Sequence, residues 1–201
     1  MNSSSGHEGG FSHDVLGYSS RGAWSNPSKY LVDRLVCTIR EFPDFPREGV
    51  LFRDLSGTMS DPFLLRSVAT HIALAFEGKF SAVLAVDARG FILGTMVSQI
   101  SSCRLVLARK LGKLPGAVHR ATYEFEYGAT ALEVQRDALS AEQSVLVVDD
   151  VLATGGTLAA AGALVSRAGA KLSGFATALE LTELGGRRTL APYPVFSLLT
   201  T

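Results

Sequence analysis

Apolar residues along this chain fall into short blocks with two different rhythms. Leu31, Leu35 and Ile39 recur every four positions and predict one face of a helix. Asn26 is its expected cap, Pro27 its first helical residue and Pro43 its stop. Asp61-Pro62 repeats the start signal, and Phe63, Leu64, Val68, Ile72 and Phe76 trace a second amphipathic helix closed by Gly78. Beyond Gly78 the rhythm changes. Ala82 to Val86, Arg104 to Ala108, Val145 to Val148 and Ser173 to Leu179 are short runs with strand character, and Thr130 to Gln135 alternates as a strand does. Helical stretches at Phe91 to Ile100 and Thr157 to Arg167 lie between them. Short unalternating strands separated by helices predict a parallel sheet covered on both faces, an α/β fold. End segments would form a separate cap over the site. No internal repeat is visible.

Residues 1–25 break this pattern. They are rich in Ser, Gly and His without a period, and are expected to form a loosely ordered tail before one domain over residues 26–201. Glu8, Asp14 and the single Arg21 are unlike a transit peptide, and the start lacks the basic and apolar regions of a secretory signal. The final Ser-Leu-Leu-Thr-Thr is not a peroxisomal address. With 19 Lys and Arg against 19 Asp and Glu, no net field draws the chain to nucleic acid or to an anionic membrane. No apolar run approaches the ~18 residues of a spanning helix. Cys37 and Cys103 lack zinc spacing and read as small buried hydrophobes. A reducing, cytoplasmic setting is expected.

The most informative segment is Val145-Leu-Val-Val-Asp149-Asp150-Val-Leu-Ala153-Thr154-Gly155-Gly156-Thr157. A buried strand delivers two adjacent carboxylates at its C-terminal end, where open parallel sheets bind ligands. The small residues that follow let backbone N–H groups and a helix N-terminus approach an anion, and Thr154 and Thr157 add hydroxyl donors. The Gly-Lys-Ser/Thr ending of a P-loop is missing, as is the GxGxxG of dinucleotide binders. A loop whose glycines serve only the turn would not explain two acids after four apolar residues, because burying an unpartnered carboxylate is costly.

Val147 to Thr157 resembles the phosphoribosyl pyrophosphate signature of the type I phosphoribosyltransferases. The resemblance runs from about residue 29 to the C-terminus, through Glu180-Leu-Thr-Glu-Leu and Pro194-Val-Phe-Ser-Leu-Leu. It implies a parallel-sheet core, from about residue 61 to 201, with a small N-terminal hood from about 26 to 60 over a base site. It also implies that Asp149 and Asp150 hold the ribose, while Ala153, Thr154, Gly155, Gly156 and Thr157 hold the 5′-phosphate. Phe42-Pro-Asp-Phe-Pro-Arg-Glu-Gly-Val-Leu51-Phe52-Arg53-Asp54 is similar to the hood of the adenine-specific members. There Phe52 would stack on the purine, a contact worth roughly 1–3 kcal/mol. Backbone groups around Leu51 and Arg53 would read the base edge. A carbonyl accepting the exocyclic amine and an amide donating to ring N1 leave 6-oxopurines mispaired.

Two further segments carry the resemblance. Asp87-Ala88-Arg89-Gly90 is similar to the pyrophosphate loop, in which many relatives have Ser at the Ala88 position; a guanidinium at Arg89 suits pyrophosphate oxygens. Taken alone, Arg109-Lys110-Leu-Gly-Lys113 is a solvated basic turn; together with Tyr123-Glu-Phe-Glu126-Tyr127-Gly it resembles the mobile catalytic loop. That implies pyrophosphate contacts for Arg109, Lys110 and Lys113, proton handling by Glu126, and closure of the reaction centre by Tyr127. The implied reaction joins adenine to phosphoribosyl pyrophosphate, giving AMP and pyrophosphate. Mg²⁺ would arrive with the substrate rather than on dedicated protein ligands, and the chain would form a homodimer. A phosphoribosyltransferase for another base is the nearest rival, opposed by the hood. A nucleic-acid-binding regulator is opposed by the zero net charge and by a tail before Asn26 too short for a winged helix.

Overall fold

The computed structural model describes residues 27–125 and 128–201. Helix α1 (Lys29–Thr38) is capped by Ser28, whose hydroxyl accepts from the Leu31 N–H at 3.2 Å. It therefore starts two residues later than expected, with Pro27 ahead of the cap and not at the first helical position. The stop expected at Pro43 is also corrected. The helix ends at Thr38, and Arg40–Pro43 is strand β1, which pairs antiparallel with β2 (Leu51–Asp54) as a two-stranded hairpin. All four β1 residues are exposed, so no alternation announced it. A short helix α2 (Ser56–Ser60) leads to α3 (Pro62–Ala75), where Asp61 accepts from the Phe63 and Leu64 N–H groups and Pro62 takes the first position.

The rest of the chain builds an eight-stranded sheet. Its strands are β3 (Ala82–Val86), β4 (Arg104–Lys110), β5 (Val118–Phe125), β6 (Gly128–Gln135), β7 (Ser144–Val148), β8 (Val151–Leu152), β9 (Lys171–Glu180) and β10 (Val195–Thr200). The order is β10-β9-β7-β3-β4-β6-β5, with β8 beside β9. The pairs from β10 through β4 are parallel, while β4–β6 and β6–β5 are antiparallel. Arg109 and Lys110, expected to open a solvated basic turn, thus end strand β4. Every residue of β3 is fully buried, as an unalternating apolar run requires when both faces are covered. Val83 and Ala85 face a core shared with α3 and α4 (Gly90–Ile100), to which α1 adds Leu31 and Leu35. Leu84 and Val86 face the opposite core, with α5 (Gly156–Arg167) and the β5–β6 hairpin. No helix among the described residues is long and apolar enough to cross a membrane.

Candidate active site

Chain order reverses between β3 and β7. From β3 the chain proceeds to β4 on one side, and from β7 to β9 and β10 on the other. The C-terminal ends of two such strands frame a crevice where ligands bind in open α/β sheets. β7 ends there in Asp149 and Asp150, and β3 in Asp87-Ala88-Arg89-Gly90. The Asp87–Ala88 peptide is cis.

The two carboxylates occupy different settings. Asp150 is buried and forms an ion pair with the Arg89 guanidinium. Asp149 Oδ1 accepts from the Asp150 N–H at 2.9 Å and lies under the first residue of α4. A Cβ on Gly90 would come within 2.8 Å of that oxygen and 2.9 Å of the Val148 carbonyl, so only glycine fits there. Burial pushes the Asp149 carboxyl well above the usual carboxylate range, and the neighbouring Asp150 charge adds to the rise. The Arg89 guanidinium carbon also lies 5.5 Å from the centre of the Phe52 ring, a cation–π distance. One side chain thus bridges Phe52 of β2 and Asp150.

Ala153 to Thr157 pass from β8 into α5. Gly155 caps the helix with φ +87°, a left-handed conformation open to glycine, and no side chain caps the first turn. The amides of that turn are therefore available to an anion. The loop is backed by residues the sequence reading missed. A Cβ on Gly155 would meet the Gly186 carbonyl at 2.7 Å and the Thr189 Cβ at 2.9 Å. Thr189, at the end of α6 (Gly186–Thr189), donates its hydroxyl to the Thr154 carbonyl at 2.8 Å. The adjacent Gly185-Gly186 was the only local hint of this close approach.

The expected pyrophosphate residues form a second group. Asp87 accepts from Arg109 Nε at 3.0 Å and from the Lys110 N–H at 3.3 Å, and Arg109 also lies 5.7 Å from the Phe91 ring centre. Asp87 and Arg109 are thus spent on each other, fixing the start of a turn in which the Lys113 N–H donates to the Lys110 carbonyl at 3.2 Å. Lys110 and Lys113 are exposed. Ala88 is exposed too, with no side chain beyond its methyl to offer. Glu126 and Tyr127 lie outside the described residues.

In the β1–β2 hairpin, the segment expected to form the hood, Phe52 packs edge-to-face on Phe45, with ring centres 5.2 Å apart, and Leu51 is exposed. Arg53 turns its guanidinium away, to Glu41 at 3.0 Å and to Glu183 at 3.3 Å in the 3₁₀ turn Thr182–Leu184 after β9. The Arg53 side chain is therefore engaged and only its backbone is left open. Below it, the buried Asp54 accepts from the Ser56 hydroxyl at 2.6 Å and the Ser56 N–H at 2.9 Å. Those bonds, ahead of the Arg40 pair, lower its carboxyl to about 2.

Fold and site together define a phosphoribosyltransferase, and a profile of the phosphoribosyl transferase domain family matches residues 63–197. The adenine phosphoribosyltransferase of Stochomys longicaudatus is 45% identical over 179 residues, 87% of this chain and 98% of its own. The crystal structure of the Rhodothermus marinus adenine phosphoribosyltransferase superposes with a TM-score of 0.81 at 38% identity, covering 87% of this chain and 100% of that one. The Saccharomyces cerevisiae adenine phosphoribosyltransferase, crystallised with an imino-altritol bisphosphate and adenine, gives 0.78 at 36% identity over 85% and 99%. This chain belongs to the adenine phosphoribosyltransferase family.

Proposed function

We infer that this protein transfers the phosphoribosyl group of phosphoribosyl pyrophosphate to N9 of adenine, releasing pyrophosphate and AMP. The observation that carries this reading is the reach of Arg89. Its guanidinium touches the Asp150 carboxylate and lies over Phe52, so the pyrophosphate, ribose and base positions share one crevice at the sheet's switch point.

In the proposed reaction the C1′–O bond to pyrophosphate breaks as the N9–C1′ bond forms on the opposite face, inverting C1′. The proton displaced from the purine ring passes to Glu126, and Tyr127 closes over the centre; acid–base help of this kind gives about 10²–10⁴-fold. Arg89, Lys110 and Lys113 stabilise the charge that develops on the leaving group, with Asp87 and Arg109 holding the basic turn in place. Asp149 and Asp150 accept from the ribose hydroxyls and face a ribose that becomes cation-like. The amides of Ala153 to Thr157 hold the 5′-phosphate, Phe52 stacks on adenine, and the backbone at Leu51 and Arg53 reads its edge. Mg²⁺ would be held mainly by the substrate's own phosphate oxygens, because it keeps waters and prefers them to all-protein cages, and it would supply positive charge beside that of Arg89, Lys110 and Lys113. A homodimer in a reducing cytoplasm completes the reading. Free Cys37 and Cys103 suit that compartment, although Cys37 is exposed and Cys103 half-buried where both were expected to be buried, and exposed Tyr30, Val36, Ile92 and Leu107 offer apolar surface for a second copy to cover.

Offering adenine, hypoxanthine, guanine and xanthine separately, with phosphoribosyl pyrophosphate and Mg²⁺, tests the assignment. Nucleotide from adenine alone is the expected result. Product from a 6-oxopurine instead would overturn the base reading while keeping the reaction class. A second prediction concerns the Arg53–Glu183 contact, which ties the hood to the core. Glu183→Ala is expected to raise the KM for adenine by no more than about fivefold, as suits an exposed ion pair, and to leave the KM for phosphoribosyl pyrophosphate unchanged. Equal rises in both constants would show that the contact does not act through the hood.

A further inference from the structure

Glu133 is a carboxylate on which two segments of the chain converge, β4 with the turn that follows it and β5. It sits on β6 directly opposite Arg109 of β4 on one side and Arg120 of β5 on the other. It is 2% exposed, among the most buried charged residues described. Both of its oxygens are occupied. Oε1 accepts from Arg120 Nε at 2.9 Å and Nη2 at 2.7 Å, and Oε2 accepts from the Gly112 N–H at 2.8 Å. Gly112 has φ +74° and is the pivot of the turn between Lys110 and Lys113.

A carboxylate buried to this extent is costly unless fully hydrogen-bonded, and satisfying it requires the turn and the β5–β6 hairpin to hold one relative position. An exposed turn of two lysines needs no buried anion to fold. The burial is explained if the lysines have to be presented in one place. We propose that Glu133 is a positioning residue for the pyrophosphate end of the site. It acts through the Gly112 amide to set Lys110 and Lys113, and through Arg120 to tie that turn to the β5–β6 hairpin. The proposal rests on the phosphoribosyltransferase reading above, in which those lysines meet pyrophosphate. Glu133 itself touches no substrate.

The test separates the two ends of the site by ligand. AMP occupies the hood, the ribose acids and the phosphate loop, whereas inorganic pyrophosphate with Mg²⁺ occupies the basic turn. Glu133→Gln keeps the size of the side chain but turns an N–H₂ group toward one of two donors, Arg120 or Gly112. By calorimetry, pyrophosphate affinity is expected to fall about tenfold, the effect of losing one charge-assisted hydrogen bond, while AMP affinity stays within about twofold. In steady state the KM for phosphoribosyl pyrophosphate should rise and that for adenine should not. Arg120→Gln, which leaves the Glu133–Gly112 bond in place, should lower pyrophosphate affinity less than Glu133→Gln does. Loss of both ligands with a lowered melting temperature in both variants would make Glu133 a folding residue and overturn the proposal. So would wild-type pyrophosphate affinity in Glu133→Gln. Failure of the unmodified protein to form AMP would instead count against the underlying reading, and separates the two.

Discussion

Valine at position 155 is expected to lower kcat/KM for phosphoribosyl pyrophosphate by at least roughly a hundredfold, or about 2.7 kcal/mol of transition-state binding. Gly155 has φ +87°, where a β-branched residue is a steric outlier. The first added carbon would also lie 2.7 Å from the Gly186 carbonyl. That wall cannot retreat locally. A Cβ built on Gly186 would fall 2.1 Å from the Ala153 carbonyl, so the two backbones already touch, and Thr189 is hydrogen-bonded to the loop it backs. The collision has to be relieved by moving the Ala153–Thr157 loop, which on the proposed reading turns its amides away from the 5′-phosphate. Gly78→Ala is the control. It has φ +68° and nothing within 4 Å of an added Cβ, so it carries the backbone strain of about 1 kcal/mol without the collision. It should melt slightly earlier and turn over normally. Initial rates beside thermal melts distinguish the two, and a wild-type KM in Gly155→Val would sink the argument.

That wall illustrates what can be read along the chain and what cannot. The strand Val145 to Val148, the acid pair and the small-residue loop are contiguous, so they were legible. β3 was legible because burial on both faces leaves a solid apolar run. The Asp61-Pro62 start held because its cap is three residues long. By contrast Arg40–Pro43 forms a strand on the strength of its partner Leu51–Asp54 alone, with every side chain exposed, and the helical signal before it simply ran on. Thr189 meets Thr154 across 35 residues, Arg53 meets Glu183 across 130, and Glu133 meets Gly112 across 21. No periodicity encodes such pairs. Motif resemblance named Asp87 and Arg109 but not their mutual pairing, because a motif records which residues are present and not which of them are already engaged.

Asparagine at position 149 is expected to give a more stable and much slower enzyme. The carboxyl of Asp149 is held well above its ordinary value of 3.8, chiefly by burial and then by the charge on Asp150, with Arg89 opposing. For an acid raised in this way the sign is fixed. Below 3.8 the carboxyl is neutral in both folded and unfolded chains and carries no penalty. As pH rises past that point the unfolded chain releases its proton while the folded one retains it, and stability falls until the folded value is passed. Asparagine removes this loss and keeps an oxygen to accept the Asp150 N–H now received at 2.9 Å. The melting temperature of Asp149→Asn should therefore exceed that of the parent by a few degrees at alkaline pH, with the gap narrowing toward acid. Turnover should move the other way. Above the folded value, where the parent carboxyl is ionised, the ribose hydroxyl would lose a charged acceptor and the cation-like ribose a nearby negative charge, together at least about tenfold in kcat/KM. A gap that did not vary with pH would mean the fold does not burden this carboxyl. A gap that varied as described, with undiminished turnover, would remove Asp149 from the ribose site and leave Asp150 to hold it alone.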